Sequence, residues 1–245
     1  MKPLGRMLLL CLAFLVSMLP LHLKAQMESD IPFEAGENLN YNVYIKGIYC
    51  GSQVLSVIGR EEWDGREVYH IQVKTDTASI VNMFLNYHEV LDLYLDAYEL
   101  YPLRSHTVAS NKQKREVTDV IFSPDGTVYK TERKEGKTEQ FMYTGPPKVQ
   151  EGLSLFYFLR IWPWENGYDL QFAYMSSRGH ITNVNIKDPC KDTIDTKSGR
   201  YDCYYLNDPA IPCSFWISSK KPRIPVRIFN ERPFGIIESR LMKAD

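Results

Sequence analysis

The chain has 245 residues, of which 44% are hydrophobic and 24% charged, and its formal net charge is −1. That is ordinary globular composition with enough apolar residues for one sizeable core. A chain of that charge balance has no electrostatic footprint for nucleic acid, so nucleic-acid binding is excluded as a leading function.

Residues 1–25 read as an export signal. Lys2 and Arg6 make a basic start, residues 7–23 form an apolar run broken by Pro20, and Leu23-Lys24-Ala25 precedes a cut before Gln26. The run carries Pro20 and His22 and is short for a membrane span. Cys11 stands at its start behind three leucines, whereas a lipid-attachment cysteine follows the run and small residues. After cleavage near Ala25/Gln26 the mature chain carries 26 basic and 30 acidic residues, net −4, and is expected in the periplasm or otherwise outside the cytoplasm. Residues 26–245 are then a single β-rich domain. Its four cysteines, Cys50, Cys190, Cys203 and Cys213, permit up to two disulfides in three connectivities, or free buried thiols.

In chain order, residues 31–38 are an extended lead-in. Strands follow at 39–45 and 52–58, joined across 46–51, where Gly47 and Gly51 mark a bend. Asp64-Gly65 is a two-residue hairpin turn. Its return strand alternates, with Tyr69, Ile71 and Val73 on one face and His70, Gln72 and Lys74 on the other. Residues 78–85 fit a short helix, and 88–95 a strand with Leu91, Leu93 and Leu95 inward. Strands at 101–110, 116–123, 127–133 and 138–143 continue a meander through glycine-bearing turns at 123–126 and 134–137.

Gly145-Pro146-Pro147 breaks the sheet before the principal helix, residues 149–162. Leu153, Leu155, Phe156, Tyr157, Phe158, Leu159 and Ile161 put apolar groups on every face of it, so it must be covered on most of its circumference. Phe156 is expected to be buried against the sheet. Pro163 ends the helix. Strands resume at 169–176 and 181–187, a polar loop covers 188–200, and short strands at 201–206, 214–218, 224–229 and 234–241 close the chain. The fold class is mainly β: a curved antiparallel sheet or partly open β-barrel of about a dozen strands packed around one helix.

The blocks Gly36-Glu37-Asn38-Leu39-Asn40-Tyr41 with Gly47 and Gly51, Leu153-Ser154-Leu155-Phe156-Tyr157-Phe158-Leu159-Arg160, Gly199-Arg200-Tyr201-Asp202-Cys203-Tyr204, Phe215-Trp216-Ile217-Ser218-Ser219 and Arg223-Ile224-Pro225-Val226-Arg227 occur in order across the mature chain. Together they resemble the exported bacterial proteins called domain of unknown function 3108. Ser219, Lys220 and Lys221 stand where that pattern has an aspartate, so the resemblance carries no acidic site to this turn. It implies an envelope protein of Gram-negative type and assigns no enzyme activity, since the family itself is uncharacterised. Its architecture is similar to the periplasmic lipoprotein carriers, a likeness of fold that does not convey function.

Catalytic signals are weak. His70, His88, His106 and His180 make no metal-ligand spacing, and Asp188, Asp192 and Asp195 match no calcium loop. Gly152-Leu153-Ser154-Leu155-Phe156 starts like a nucleophile elbow but lacks the closing glycine and the preceding strand, which leaves a hydrolase as a remote alternative. No cofactor, no metal and no catalytic residue are therefore assigned. Arg160 is the one charge in the apolar segment of the helix, residues 152–162, placed to meet the helix dipole and reach solvent or a carboxylate, or to bind a ligand. With Tyr157, Trp162 and Trp164 it forms the candidate mouth of a pocket, in which Trp164 is expected at the rim. The expected function is non-enzymatic binding or carriage of an apolar or amphipathic, lipid-like envelope ligand. The rival is a structural or protein-interaction module of the envelope with a fully packed core.

Overall fold

The computed structural model describes residues 31–83, 86–166, 169–187, 189–232 and 235–245; the expected leader lies outside them. Successive side chains of an extended chain point to opposite faces, so alternating stretches bury one face when they pair. Eight strands precede the principal helix: β1 (Asn38–Ile45), β2 (Ile48–Trp63), β3 (Arg66–Thr77), β4 (His88–Asp96), β5 (Pro102–Ser110), β6 (Arg115–Phe122), β7 (Thr127–Lys134) and β8 (Lys137–Thr144). A one-turn helix, α1 (Ser79–Asn82), lies between β3 and β4; residues 84–85 of the expected longer one fall outside the described residues.

The principal helix is α2 (Gly152–Ile161), followed by a 3-10 turn, Trp164–Asn166. Seven more strands complete the chain: β9 (Leu170–Met175), β10 (Ile181–Ile186), β11 (Cys190–Thr196), β12 (Gly199–Asn207), β13 (Cys213–Ser218), β14 (Pro225–Arg232) and β15 (Gly235–Ala244).

Thirteen strands form one sheet in the order β11-β12-β13-β14-β15-β1-β2-β3-β4-β5-β6-β7-β8. Every pairing is antiparallel, and the C-terminal strand closes on the N-terminal one, with Leu39 opposite Ala244 and Ile45 opposite Ile237. The sheet does not close into a barrel, because β8 and β11 remain its two edges. Between them in the chain come α2 and the separate β9–β10 hairpin. The hairpin seals one side: Ala173 and Met175 of β9 pack with Val120 and Phe122 of β6, Val128 of β7 and Val149.

Three sequence expectations need correction. The connection at 46–51 is a two-residue turn, Lys46-Gly47, with both residues at positive φ (51° and 78°), so β2 starts at Ile48. The bend signalled by Gly51 is a close approach: a Cβ there would stand 2.2 Å from the Asp76 carbonyl oxygen across the β2–β3 pair. The polar stretch at 188–200 contains strand β11, in which Asp192 faces Cys203 of β12. Its polar composition suits an edge strand, whose outer ladder stays in water. Finally, α2 starts three residues later than expected. Gln150 is extended and joins β9 through Gln150 N–H to Ala173 O and Met175 N–H to Gln150 O, both 2.8 Å.

The start of α2 is set by a reciprocal cap. Glu151 accepts from Leu153 and Ser154 N–H at 3.1 and 3.0 Å, while its own N–H donates to the Ser154 hydroxyl at 2.9 Å. Trp162 is extended (φ −70°, ψ 133°) ahead of Pro163, which ends the helix as expected. Leu153, Leu155, Tyr157 and Leu159 are buried. Phe156 and Phe158 are half-buried, edge-on to Phe215 of β13 and Phe172 of β9. Phe156, expected to be buried against the sheet, does pack on it but is only half-buried, because its other side faces open space.

Candidate functional site: a cavity at the N-terminal end of α2

A cavity of about 430 Å³ remains between the inner faces of β2 to β7, the start of α2, the beginning of β13 and the end of β14. Alternation places Val73, Leu91, Val120 and Phe122 on its sheet wall, and Leu153, Phe156 and Met175 cover it from the helix and hairpin side. Ser105, Thr107 and Thr118 add hydroxyls, and Glu89, Lys130, Glu132, Glu151 and Arg232 add charge. Glu151 thus has two roles, capping α2 and lining the cavity. Both N–H bonds fall on its Oε1. Burial raises its carboxyl pKa, and the N–H groups of Ser154, Leu153 and Gly152 oppose that shift. Tyr174 beside it is raised by burial as well.

The opposite end of α2 is closed. Arg160 is 1% exposed and forms a two-pronged ion pair with Glu37, Nη1 to Oε1 at 2.7 Å and Nη2 to Oε2 at 2.6 Å. Its remaining donors reach the carbonyls of Pro32 at 3.0 Å and Pro222 at 3.2 and 3.3 Å. Its guanidinium also lies over the Phe33 and Tyr157 rings, 5.1 and 5.6 Å from their centroids. A helix leaves its last carbonyls without partners. Here the Trp164 indole N–H donates to Leu159 O at 2.9 Å, and Arg223 donates to Arg160 O at 3.4 Å while pairing with Glu165 at 2.8 Å. Tyr41 joins this region by donating to Pro225 O at 2.7 Å. The Tyr157 hydroxyl is buried without a partner, and burial lifts its pKa against the pull of the Arg160 charge.

The lead-in, helix and closing-strand blocks of the sequence thus meet at one guanidinium. The model of the family described as "Protein of unknown function (DUF3108)" matches residues 40–242. The chain belongs to the DUF3108 family. No curated protein matches it. Its fold is similar to a crystal structure of a beta-barrel-like protein of domain of unknown function DUF1849 from Brucella abortus. That likeness covers 86% of this chain and 98% of the other at 11% identity and a TM-score of 0.54, and it concerns the fold alone. A protein with a YmcC-like fold from Bacteroides fragilis overlaps 88% of this chain and 98% of its own at 10% identity, with a TM-score of 0.34.

In this DUF3108 chain the residues expected at a pocket mouth occupy the closed end. Tyr157, Arg160 and Trp164 are buried, Trp164 to 2% exposure, and Trp162 is half-buried with its ring 6.4 Å from that of Trp164. None of the four lines the cavity. The premise that Trp164 is a rim residue is overturned, since its indole holds the helix end. Of the two readings of Arg160, the carboxylate partner is the one realised. The cavity residues were missed because its wall joins strands from both halves of the sheet, β2 to β7 with β13 and β14, to the helix start and β9. Only the alternation at Val73 and Leu91 hinted at an inner face.

The other candidates resolve into local contacts. His70 bonds to Asp92 at 2.8 Å, His106 to Asp119 at 2.8 Å and His88 to Asp76 at 2.5 Å. Asp192 accepts from the Trp216 indole at 2.7 Å, and Asp195 lies 3.9 Å from Arg200; Asp188 is outside the described residues. Among the described residues no group of three or more His, Cys, Asp or Glu side chains converges as a metal site would. Among the described residues, Cys50, Cys190, Cys203 and Cys213 are all free.

Proposed function

We propose that this DUF3108 protein is an exported, non-enzymatic binder of an amphipathic ligand, which it holds between the concave sheet and the N-terminal half of α2. The supporting observation is the 430 Å³ cavity. That volume, in a cleft partly open to solvent, falls in the range of roughly 300–1,000 Å³ common to small-molecule sites. Transfer of an apolar chain onto the Leu91, Val120, Phe122 and Phe156 wall supplies the driving force, at about 25 cal/mol per Å² removed from water.

The non-enzymatic reading is supported by the state of two candidate nucleophiles, the Cys213 thiol in the cavity wall and the Ser154 hydroxyl at the start of α2. Burial pushes the Cys213 thiol up to about 11, which leaves little thiolate at neutral pH. The Ser154 hydroxyl is committed to Gln150 at 2.7 Å and to the helix cap. Export rests on Lys2, Arg6 and the apolar run behind them.

A second reading, an envelope interaction module, has its own support. Ile121, Tyr129 and Met142 are exposed, and they stand in one cross-strand row beside the unpaired edge of β8. Such an edge is a template for another strand.

The two are separated by expressing the full chain, purifying it gently from the periplasm and taking a native mass spectrum. The binder reading expects a mature N-terminus at Gln26, a co-purified small molecule, and binding of a fluorescent fatty acid after lipid stripping. Thr118→Trp, which fills the cavity without deleting a core group, then abolishes that binding at an unchanged melting temperature. A wild type that carries nothing and binds no acyl probe of any length overturns the binder in favour of the interaction module.

A further inference from the structure

We infer that the cavity takes single-chain amphiphiles with an anionic head group, a carboxylate or a phosphate monoester, and that the head is seated on Arg232. This inference rests on the binder reading above and adds to it the chemistry of the ligand.

Size sets the number of chains. A space of about 430 Å³, partly open to solvent, suits a ligand of small-molecule size. One acyl chain of medium length fits that space, and a two-chain phospholipid has several times as many heavy atoms.

Charge sets the head group. The other charged groups that line the cavity have partners of their own. Glu89 accepts from the Tyr87 hydroxyl at 2.5 Å. Glu132 pairs with Lys130 at 2.5 Å, and Lys130 also donates to Ser177 O at 2.8 Å. Glu151 is engaged by the N–H groups of Leu153 and Ser154. Arg232 differs. Its guanidinium makes no hydrogen bond or ion pair among the described residues, yet it lines the cavity and acts on several groups around it. Burial raises Tyr87, Tyr174 and Cys213, and in all three the Arg232 charge works the other way.

Position supports the same reading. Arg232 is the last residue of β14, on the face that buries Val226 and Ile228, and it is exposed where that face reaches solvent. Asn230, two residues deeper on that face, also lines the cavity, and its Oδ1 is buried with no partner. In either orientation its amide presents a polar atom to a group held by Arg232. A guanidinium offers two parallel N–H groups to a carboxylate or phosphate, a match that an alcohol or an ammonium does not make.

The test is a displacement titration on the mature, lipid-stripped protein, with cis-parinarate as the fluorescent probe and twelve-carbon chains of four head groups as competitors. Dodecanoate and dodecyl phosphate should displace the probe with Kd values about tenfold or more below those of dodecanol and dodecylammonium, and salt should shrink the difference. The relative affinity of the two anions reads out carboxylate against phosphate. Arg232→Gln should bring both anions to within about threefold of dodecanol, and Arg232→Lys should keep part of the preference. The melting temperature of each variant serves as the fold check. Equal binding of all four head groups, a preference for dodecylammonium, or an anion preference that survives Arg232→Gln would overturn the inference and leave the binder reading intact. Failure of every chain to displace or bind would overturn both.

Discussion

Removing Glu37 leaves the Arg160 guanidinium buried without a counter-charge, and the cost can be worked from the contacts. Arg160 is 1% exposed and Glu37 11%, and the two share hydrogen bonds of 2.7 and 2.6 Å. The carbonyls of Pro32 and Pro222 remain as acceptors after Glu37→Ala, but they carry no net charge. Breaking a buried pair by deleting one partner costs about 3–5 kcal/mol. For a domain of this size each kcal/mol lowers the melting temperature by about 2–4 °C, so the variant should melt about 6–20 °C below wild type. Thermal unfolding of the mature protein, followed by circular dichroism, measures this directly. Glu37→Gln keeps one acceptor oxygen and should lose less. The double variant Glu37→Leu with Arg160→Met removes both charges and should be more stable than the sum of its single changes predicts. A Glu37→Ala protein that melts within about 2 °C of wild type would show that the guanidinium finds water, and the closed-end description would fail.

Trp164→Ala should cost about 3–5 kcal/mol, because the indole is buried and caps Leu159 O; an unchanged denaturant midpoint would return Trp164 to the rim. Glu151 should tie stability to pH. Its folded pKa is raised by burial, so the folded state holds the proton more tightly than the unfolded chain. The associated stability is present at low pH and is lost as pH rises from the unfolded carboxyl value near 4.3 through the folded one. Glu151→Gln removes that slope, and parallel melting curves for the two proteins across that window would refute the assignment. Alkylation at neutral pH should label the exposed Cys190 first. Cys203, pushed up to about 12 by burial, and Cys213, up to about 11, should react only on unfolding; labelling of Cys203 as fast as Cys190 would contradict its burial.

Local chemistry alone determined a good deal. Asp64-Gly65 and Glu135-Gly136 specified two-residue turns because both residues of each take positive φ. Alternation at Tyr69, Ile71 and Val73 set which face of β3 is buried, and Pro163 ended the helix by excluding its predecessor from the α region. The mainly-β class, the single principal helix and the family blocks were all legible from such short-range rules.

Only the tertiary structure decided where open space and charge came to rest. β11 was hidden because Cys190 and Ile194 stand among charged and hydroxyl residues and give no clear alternation, and its pairing with β12 creates the strand. Arg160 and Glu37 are 123 positions apart. No spacing rule links them, and the partner that turned Arg160 from a candidate ligand site into a lock came from a lead-in folded over the helix end. The cavity was equally illegible, since a void is what remains after many side chains have packed. Its place at the N-terminal end of α2 follows from that asymmetry. The C-terminal end is filled by Arg160, Trp164 and the Arg223 turn, and the N-terminal end keeps the open space lined by Val73, Leu91, Thr118, Val120 and Phe122.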